Sequence, residues 1–228
     1  MISNGDREQP FWSYEDLALF LGSTLPAFFL AAFAVRPIHF PSDGVRQIAF
    51  QSIFYGLLVI VLYGLLARYH RPFWRGLGWT FSFRGAPLCA IAGPALAIGL
   101  AVLAPLLHTP EETTIQDLMT DRSSRVAVIL FGAFLGPLFE ELVFRGFILP
   151  LLEKSAGAAA AIFMTAIPFA LLHGTTVRWS WQAMLVIGLA GVVFGFARVR
   201  TGSTAAAAIV HIGYNSTLFA FFLVQRLG

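Results

Sequence analysis

The sequence predicts an all-α protein, a polytopic transmembrane helical bundle of about seven spans, or eight. Three observations carry this. Of 228 residues, 57% are hydrophobic and only 12% charged, whereas soluble domains carry about 25% charged residues. Apolar runs approaching the ~20 residues needed to cross a bilayer recur along the whole chain. The connections between them are short, so residues 1–228 read as a single integral membrane domain with no room for a soluble one.

In order, the runs cover residues 17–35, 48–67, 87–107, 126–149, 157–172, 181–197 and 204–224. The start, MISNGDREQPFWSYED, is acidic and leads into a run long enough to span, so a cleavable signal peptide is not expected. The loop after the second run holds Arg68, Arg71, Arg75 and Arg84 without an acid. The loop after the third holds Glu111, Glu112, Asp117 and Asp121 against Arg122 and Arg125. Basic loops stay cytoplasmic, which puts the amino terminus inside and, with seven spans, the carboxyl terminus outside. Arg198 and Arg200 agree with that orientation; Arg36 and Arg46 do not. Aromatic flanks (Phe11, Trp12, Tyr14; Phe73, Trp74, Trp79; Trp179, Trp181) suit interfacial belts.

Composition also excludes functions. The net charge of +3 is spread over loop arginines with no basic block, which suits lipid headgroups and topology signals and argues against a nucleic-acid partner. The single cysteine, Cys89, rules out an intramolecular disulfide and a cysteine-based zinc knuckle. No internal repeat suggests a two-halved transporter. Runs of small residues (Ala158–Ala161, Ala205–Ala208, and Gly191 with Gly195) read as surfaces where helices approach closely.

Against this background the polar residues inside apolar runs stand out: Glu140, Glu141, Arg145, His173, His211 and Asn215. An ionisable side chain at bilayer depth costs at least ~2.5–3.5 kcal/mol, so each needs a partner or water. Glu141 and Arg145 are four residues apart and can pair on one helix face. Glu140 is rotated about 100° from Glu141 and can point elsewhere. Pro137 permits a kink just before the pair. His211 and Asn215 share a face, as do Phe169 and His173, so three helices can offer polar faces to one interior point. His173, near the end of its run, and His211, a third of the way into its own, fall at different depths on straight helices.

Such a set suits hydrolysis. A desolvated glutamate can serve as general base. Alternatively, Glu140, His173 and His211 can hold zinc or another divalent metal, leaving one position for water. His211 and Asn215 can donate to an oxyanion. Ser155, Ser203 and Ser216 show no base at a recognisable spacing. On chemistry alone, Glu141 with Arg145 is equally an ion pair bracing a helix, His173 a helix cap, and His211 with Asn215 interhelical glue. An ion- or proton-coupled transporter and a non-catalytic membrane adaptor therefore stand as alternatives.

The ordered motifs EELVFR (Glu140, Glu141, Arg145), FALLH (Phe169, His173) and HIGYN (His211, Asn215) fit E-E-x-x-x-R, F-x-x-x-H and H-x-x-x-N. In this order, within a multi-span chain, they resemble the CAAX prenyl protease type II and bacteriocin-processing family of intramembrane proteases. The resemblance covers roughly residues 126–222. It implies an intramembrane endopeptidase acting on a membrane-anchored peptide or protein substrate. Glu140 and His173 would activate water, His211 and Asn215 would steady the oxyanion or help bind metal, and Glu141 and Arg145 would hold the architecture. Both metal-dependent and glutamate-dependent mechanisms are described for the family. A prokaryotic plasma membrane is the expected location.

Overall fold

The structure, a computed structural model, describes residues 10–81, 85–110 and 113–227. The acidic residues of the first nine positions, Arg84, Glu111 and Glu112 lie outside the described residues. In chain order the elements are α1 (Tyr14–Val35), α2 (Asp43–Ala67), α3 (Phe73–Gly76), α4 (Ala86–Leu106), α5 (Thr114–Leu118), α6 (Arg122–Leu130), a π-helical segment (Phe131–Leu135), α7 (Gly136–Glu141), a second π-helical segment (Leu142–Ile148), α8 (Leu149–Leu172), α9 (Trp181–Thr201) and α10 (Thr204–Leu227). The described residues form no strand, and the protein is an all-helical bundle of membrane-spanning helices.

Caps set several of the starts. The Ser42 hydroxyl accepts from the backbone N–H of Val45 at the head of α2, and Ser180 accepts from that of Ala183 at the head of α9. Asp121 accepts from the N–H groups of Ser123 and Ser124 to start α6. The Ser123 hydroxyl, with that of Ser124, holds its carboxyl well below the usual carboxylate range. α9 stops at Gly202, which takes the left-handed conformation at φ 69°.

Among the described residues, six helices are long and apolar enough to cross a membrane, the fourth of them long enough to hold two of the seven predicted runs. That fourth stretch, the 51 residues Arg122–Leu172, contains both predicted spans 126–149 and 157–172 and is interrupted between them at Gly157. Gly157 explains how one stretch holds both. Its φ of 80° and ψ of 164° are non-helical, a combination open essentially to glycine alone. There the chain folds back. Leu149, Ala161 and Ile162 share one buried cluster, and the Phe144 and Phe169 ring centroids are 5.4 Å apart. In a straight helix these positions would lie tens of ångströms apart, at 1.5 Å per residue.

The rest of the core assembles around this hairpin. α10 runs antiparallel to its outgoing arm: Thr204 faces Gly146, His211 faces Glu141 and Asn215 faces Gly132. α9 runs antiparallel to the returning arm, with Gly195 against Ile162 and Gly191 against Ala166 and Phe169. The small-residue reading of Gly191 and Gly195 therefore holds. α4 and α10 approach each other closely at Gly93. A Cβ on Gly93 would sit 2.3 Å from the carbonyl oxygen of Val210, so no side chain fits there. Large side chains such as Phe33, Leu88 and Leu172 are more than 70% exposed, as lipid-facing surfaces of such a bundle are.

One expectation about the flanks changes, and a buried carboxylate lies beside it. Trp12 is not part of an interfacial belt but is buried. Its indole N–H donates to the carbonyl of Phe147 at 3.0 Å, and its ring stacks on that of Phe147. Phe147 lies in a π-helical segment, and the indole supplies a donor to its backbone. Asp16, in the first turn of α1, is fully buried, with Arg68, the Tyr69 hydroxyl and the Ser13 N–H as its donors. The four groups tie α1 to the end of α2.

Candidate active site

The two glutamates sit at the end of α7, between two π-helical segments, and each segment closely precedes a proline: Phe131–Leu135 before Pro137, and Leu142–Ile148 before Pro150. Proline lacks the N–H that closes the regular ladder, and its ring clashes with the carbonyl four residues back. A wider turn relieves both effects, and such turns recur at functional sites. The kink expected at Pro137 takes this form.

The widened turns divide the pair. Glu141 and Arg145 are fully buried, and Arg145 Nη1 donates to Glu141 Oε1 at 3.0 Å. Arg145 Nη2 donates to the carbonyl of Gly191 at 2.7 Å. The guanidinium carbon lies 4.7 Å from the ring centre of Phe169 and 5.4 Å from that of Phe194, within cation–π range. One arginine thus joins α9 to both arms of the hairpin. Glu141 Oε2 and Arg145 Nε have no partner, so the pair is not fully satisfied internally.

Glu140 points elsewhere, as its rotation around the helix requires. It lines a cavity of about 720 Å³ together with His173, His211 and Asn215. Its Oε2 lies 3.9 Å from the Nε2 atoms of both His173 and His211. The depth mismatch between the two histidines disappears in the hairpin. Glu140 stands 17 residues before Gly157 and His173 16 residues after it, so the fold-back brings them to one level. α10 then brings His211 to that level because Thr204, at its start, packs against Gly146.

Hydrogen bonds orient both imidazoles. His173 Nδ1 lies 2.8 Å from the carbonyl oxygen of Phe169, one turn back. A carbonyl only accepts, so Nδ1 carries the proton and Nε2 is left for the cavity. His211 Nδ1 lies 2.9 Å from Glu141 Oε1, and the Phe194 ring stacks on the imidazole at a centroid distance of 4.2 Å. A carboxylate likewise accepts, and His211 Nε2 also turns to Glu140. Asn215 donates from Nδ2 to the carbonyl of Gly132 at 2.7 Å.

The structure therefore brings Glu140, His173 and His211 together, sets Glu141 and Arg145 behind them, and puts Asn215 on the same cavity wall. With both rings neutral, two acceptor nitrogens face one carboxylate oxygen and call for a proton donor or a cation between them; protonation of one ring supplies such a donor. For zinc, donors at about 2.0–2.1 Å from the metal stand roughly 3.3–3.4 Å apart in a tetrahedral site. The 3.9 Å separations are wider, and among the described residues no three His, Cys, Asp or Glu converge as metal ligands. The donor chemistry suits a metal, and the spacing as it stands suits a hydrogen-bonded water.

Sequence reasoning missed two neighbours on α2. Tyr55 donates from its hydroxyl to Glu140 Oε1 at 3.4 Å, and Gln51 Nε2 donates to Tyr55 Oη at 3.2 Å. Their signal was the spacing of two polar residues four apart in an apolar helix. The backbone acceptors Gly132 and Gly191 carry no such signal, since a carbonyl is present at every position.

A family model described as "Type II CAAX prenyl endopeptidase Rce1-like" matches residues 122–217. No curated protein and no solved structure matches the chain.

Proposed function

On the match of residues 122–217 to the Rce1-like family of type II CAAX prenyl endopeptidases, we propose that the chain is a CAAX-type membrane protease and that Glu140 is the general base of an intramembrane peptide hydrolysis. The family match supports a CAAX-type membrane protease in general; the assignment of roles to residues is our reading. The observation that carries it is the approach of Glu140 Oε2 to two imidazole Nε2 atoms at the wall of one large cavity.

In this reading a water held between Glu140 and His173 attacks the scissile carbonyl carbon, and Glu140 takes its proton. The carbonyl oxygen becomes an oxyanion. The Asn215 amide and His211, the latter in its protonated form and backed by Glu141, donate to it. The C–N bond then breaks, and the proton held on Glu140 passes to the leaving nitrogen. Burial of the site supports this chemistry, because donors in a low-dielectric pocket act more strongly than in water. Arg145 contributes by balancing Glu141, which leaves the Glu140 carboxylate and a protonated His211 as a second neutral pair.

A divalent cation on Glu140, His173 and His211 is the second form of the proposal, favoured by the donor set itself. When bound, such an ion would polarise the carbonyl and acidify water. The substrate class is a membrane-anchored peptide or protein, with the lipid bilayer as its other partner. A prokaryotic plasma membrane with a cytoplasmic amino terminus is the proposed location.

Purified protein in lipid nanodiscs, given a panel of membrane-anchored peptides with and without a prenylated cysteine, should cleave at least one member. Glu140→Gln should abolish that cleavage. Retention of cleavage by Glu140→Gln removes the base, and transport of ions without cleavage of any peptide would favour a transporter.

A further inference from the structure

We infer that Tyr55, with Gln51 behind it, is a positioning residue that locks the carboxylate of Glu140 in its working orientation. The inference rests on the reading of Glu140 as base. It concerns α2, which lies outside the family-matched residues 122–217.

The hydrogen bonds between these groups have only one possible direction. Gln51 Nε2 can only donate, and it reaches Tyr55 Oη at 3.2 Å. A carboxylate oxygen only accepts, and Tyr55 donates to Glu140 Oε1 at 3.4 Å. The Tyr55 hydroxyl thus accepts on one side and donates on the other. With Oε1 held, Oε2 is the oxygen turned to His173 and His211. The last torsion of a glutamate is broad and roughly two-fold, so without the tyrosine the carboxylate is free to swing away from the imidazoles.

The ring is fixed as well as the hydroxyl. Tyr55 stacks on Phe139, the residue before Glu140, with centroids 3.8 Å apart and planes 18° from parallel. Phe131 covers it from the first π-helical segment at 5.6 Å. A phenylalanine would satisfy these ring contacts equally. The hydroxyl is the part that packing does not explain, and an unsatisfied hydroxyl in an apolar setting is costly. Its partners are the base and a glutamine that itself lines the cavity.

The test compares Glu140→Gln, Tyr55→Phe, Gln51→Leu and the double variant in nanodiscs, using the panel peptide that the unaltered protein cleaves. Tyr55→Phe keeps the stack and should lower kcat about tenfold with KM and unfolding midpoint unchanged, within the range that misplacement of a catalytic group produces. Gln51→Leu should lower kcat by a smaller factor, and the double variant should fall no further than Tyr55→Phe. Activity in Glu140→Gln overturns the base assignment and this inference with it. Loss in Glu140→Gln with unchanged kcat in Tyr55→Phe overturns the inference alone, as does an effect of Tyr55→Phe confined to KM. If Tyr55→Phe does not fold, Gln51→Leu decides: a lowered kcat supports the inference and an unchanged one overturns it.

Discussion

Glu141 Oε1 accepts from Arg145 on its own helical stretch at 3.0 Å and lies 2.9 Å from His211 Nδ1 on α10. A single buried oxygen therefore joins the arginine that braces the hairpin to the imidazole that faces the cavity. The stability of the fold and the tautomer of His211 depend on the same atom.

Removing one partner of this pair leaves the other charged and buried. Arg145→Leu and Glu141→Gln should each destabilise the protein severely, by about 3–5 kcal/mol if the pair behaves like other buried ion pairs. The double variant should cost less than the sum of the two, because no charge is then left without its counterion. Thermal unfolding in a mild detergent measures this; strictly additive losses would show that the two residues do not depend on each other.

Gly157 should tolerate no L-residue without strain. A Cβ there meets nothing within 4 Å, so any loss from Gly157→Ala comes from the backbone, at about 1–3 kcal/mol. Gly64→Ala, also in open space but within a regular helix, is the control and should be neutral or stabilising. Equal unfolding midpoints for the two variants would contradict the fold-back at Gly157.

At Gly93 the obstacle is steric. An added methyl group would meet the Val210 carbonyl at 2.3 Å and the Tyr214 nitrogen at 2.8 Å, forcing α4 away from α10. Gly93→Ala should cost about 1–3 kcal/mol and also lower kcat, since Val210 precedes His211. Gly99→Ala, on the same helix with nothing within 4 Å, should change neither quantity. A full-activity, full-stability Gly93→Ala variant would break the link between this contact and the site.

Asn215→Ala should lower kcat by about 10²–10³ with little change in KM if the amide serves an oxyanion. Steady-state kinetics separates this from a packing effect, in which the unfolding midpoint falls and kcat of the folded fraction is preserved.

Chelation distinguishes the two forms of the hydrolysis. Under the glutamate form, dialysis against a strong chelator leaves the rate intact. Under the metal form it abolishes cleavage, zinc restores it, and zinc also raises the unfolding midpoint. The midpoint shift is read without any substrate.

The sequence by itself determined the solvent of this protein, because its composition leaves too little polar surface for water. It also fixed the candidate groups, because a buried charge in an apolar run is expensive enough to be conspicuous, as Glu140, Glu141, Arg145 and His211 are. The pairing of Glu141 with Arg145 was legible because it is local, one helical turn in length. What only the tertiary structure decided is longer in range. Gly157 reads in sequence only as the first residue of the run 157–172, yet its conformation folds the chain back and sets Glu140 level with His173. The docking of Trp12 onto Phe147 and of Tyr55 onto Glu140 depends on which helix faces meet. Side-chain spacing specifies a face, whereas the neighbour of that face is set by close packing of the whole bundle.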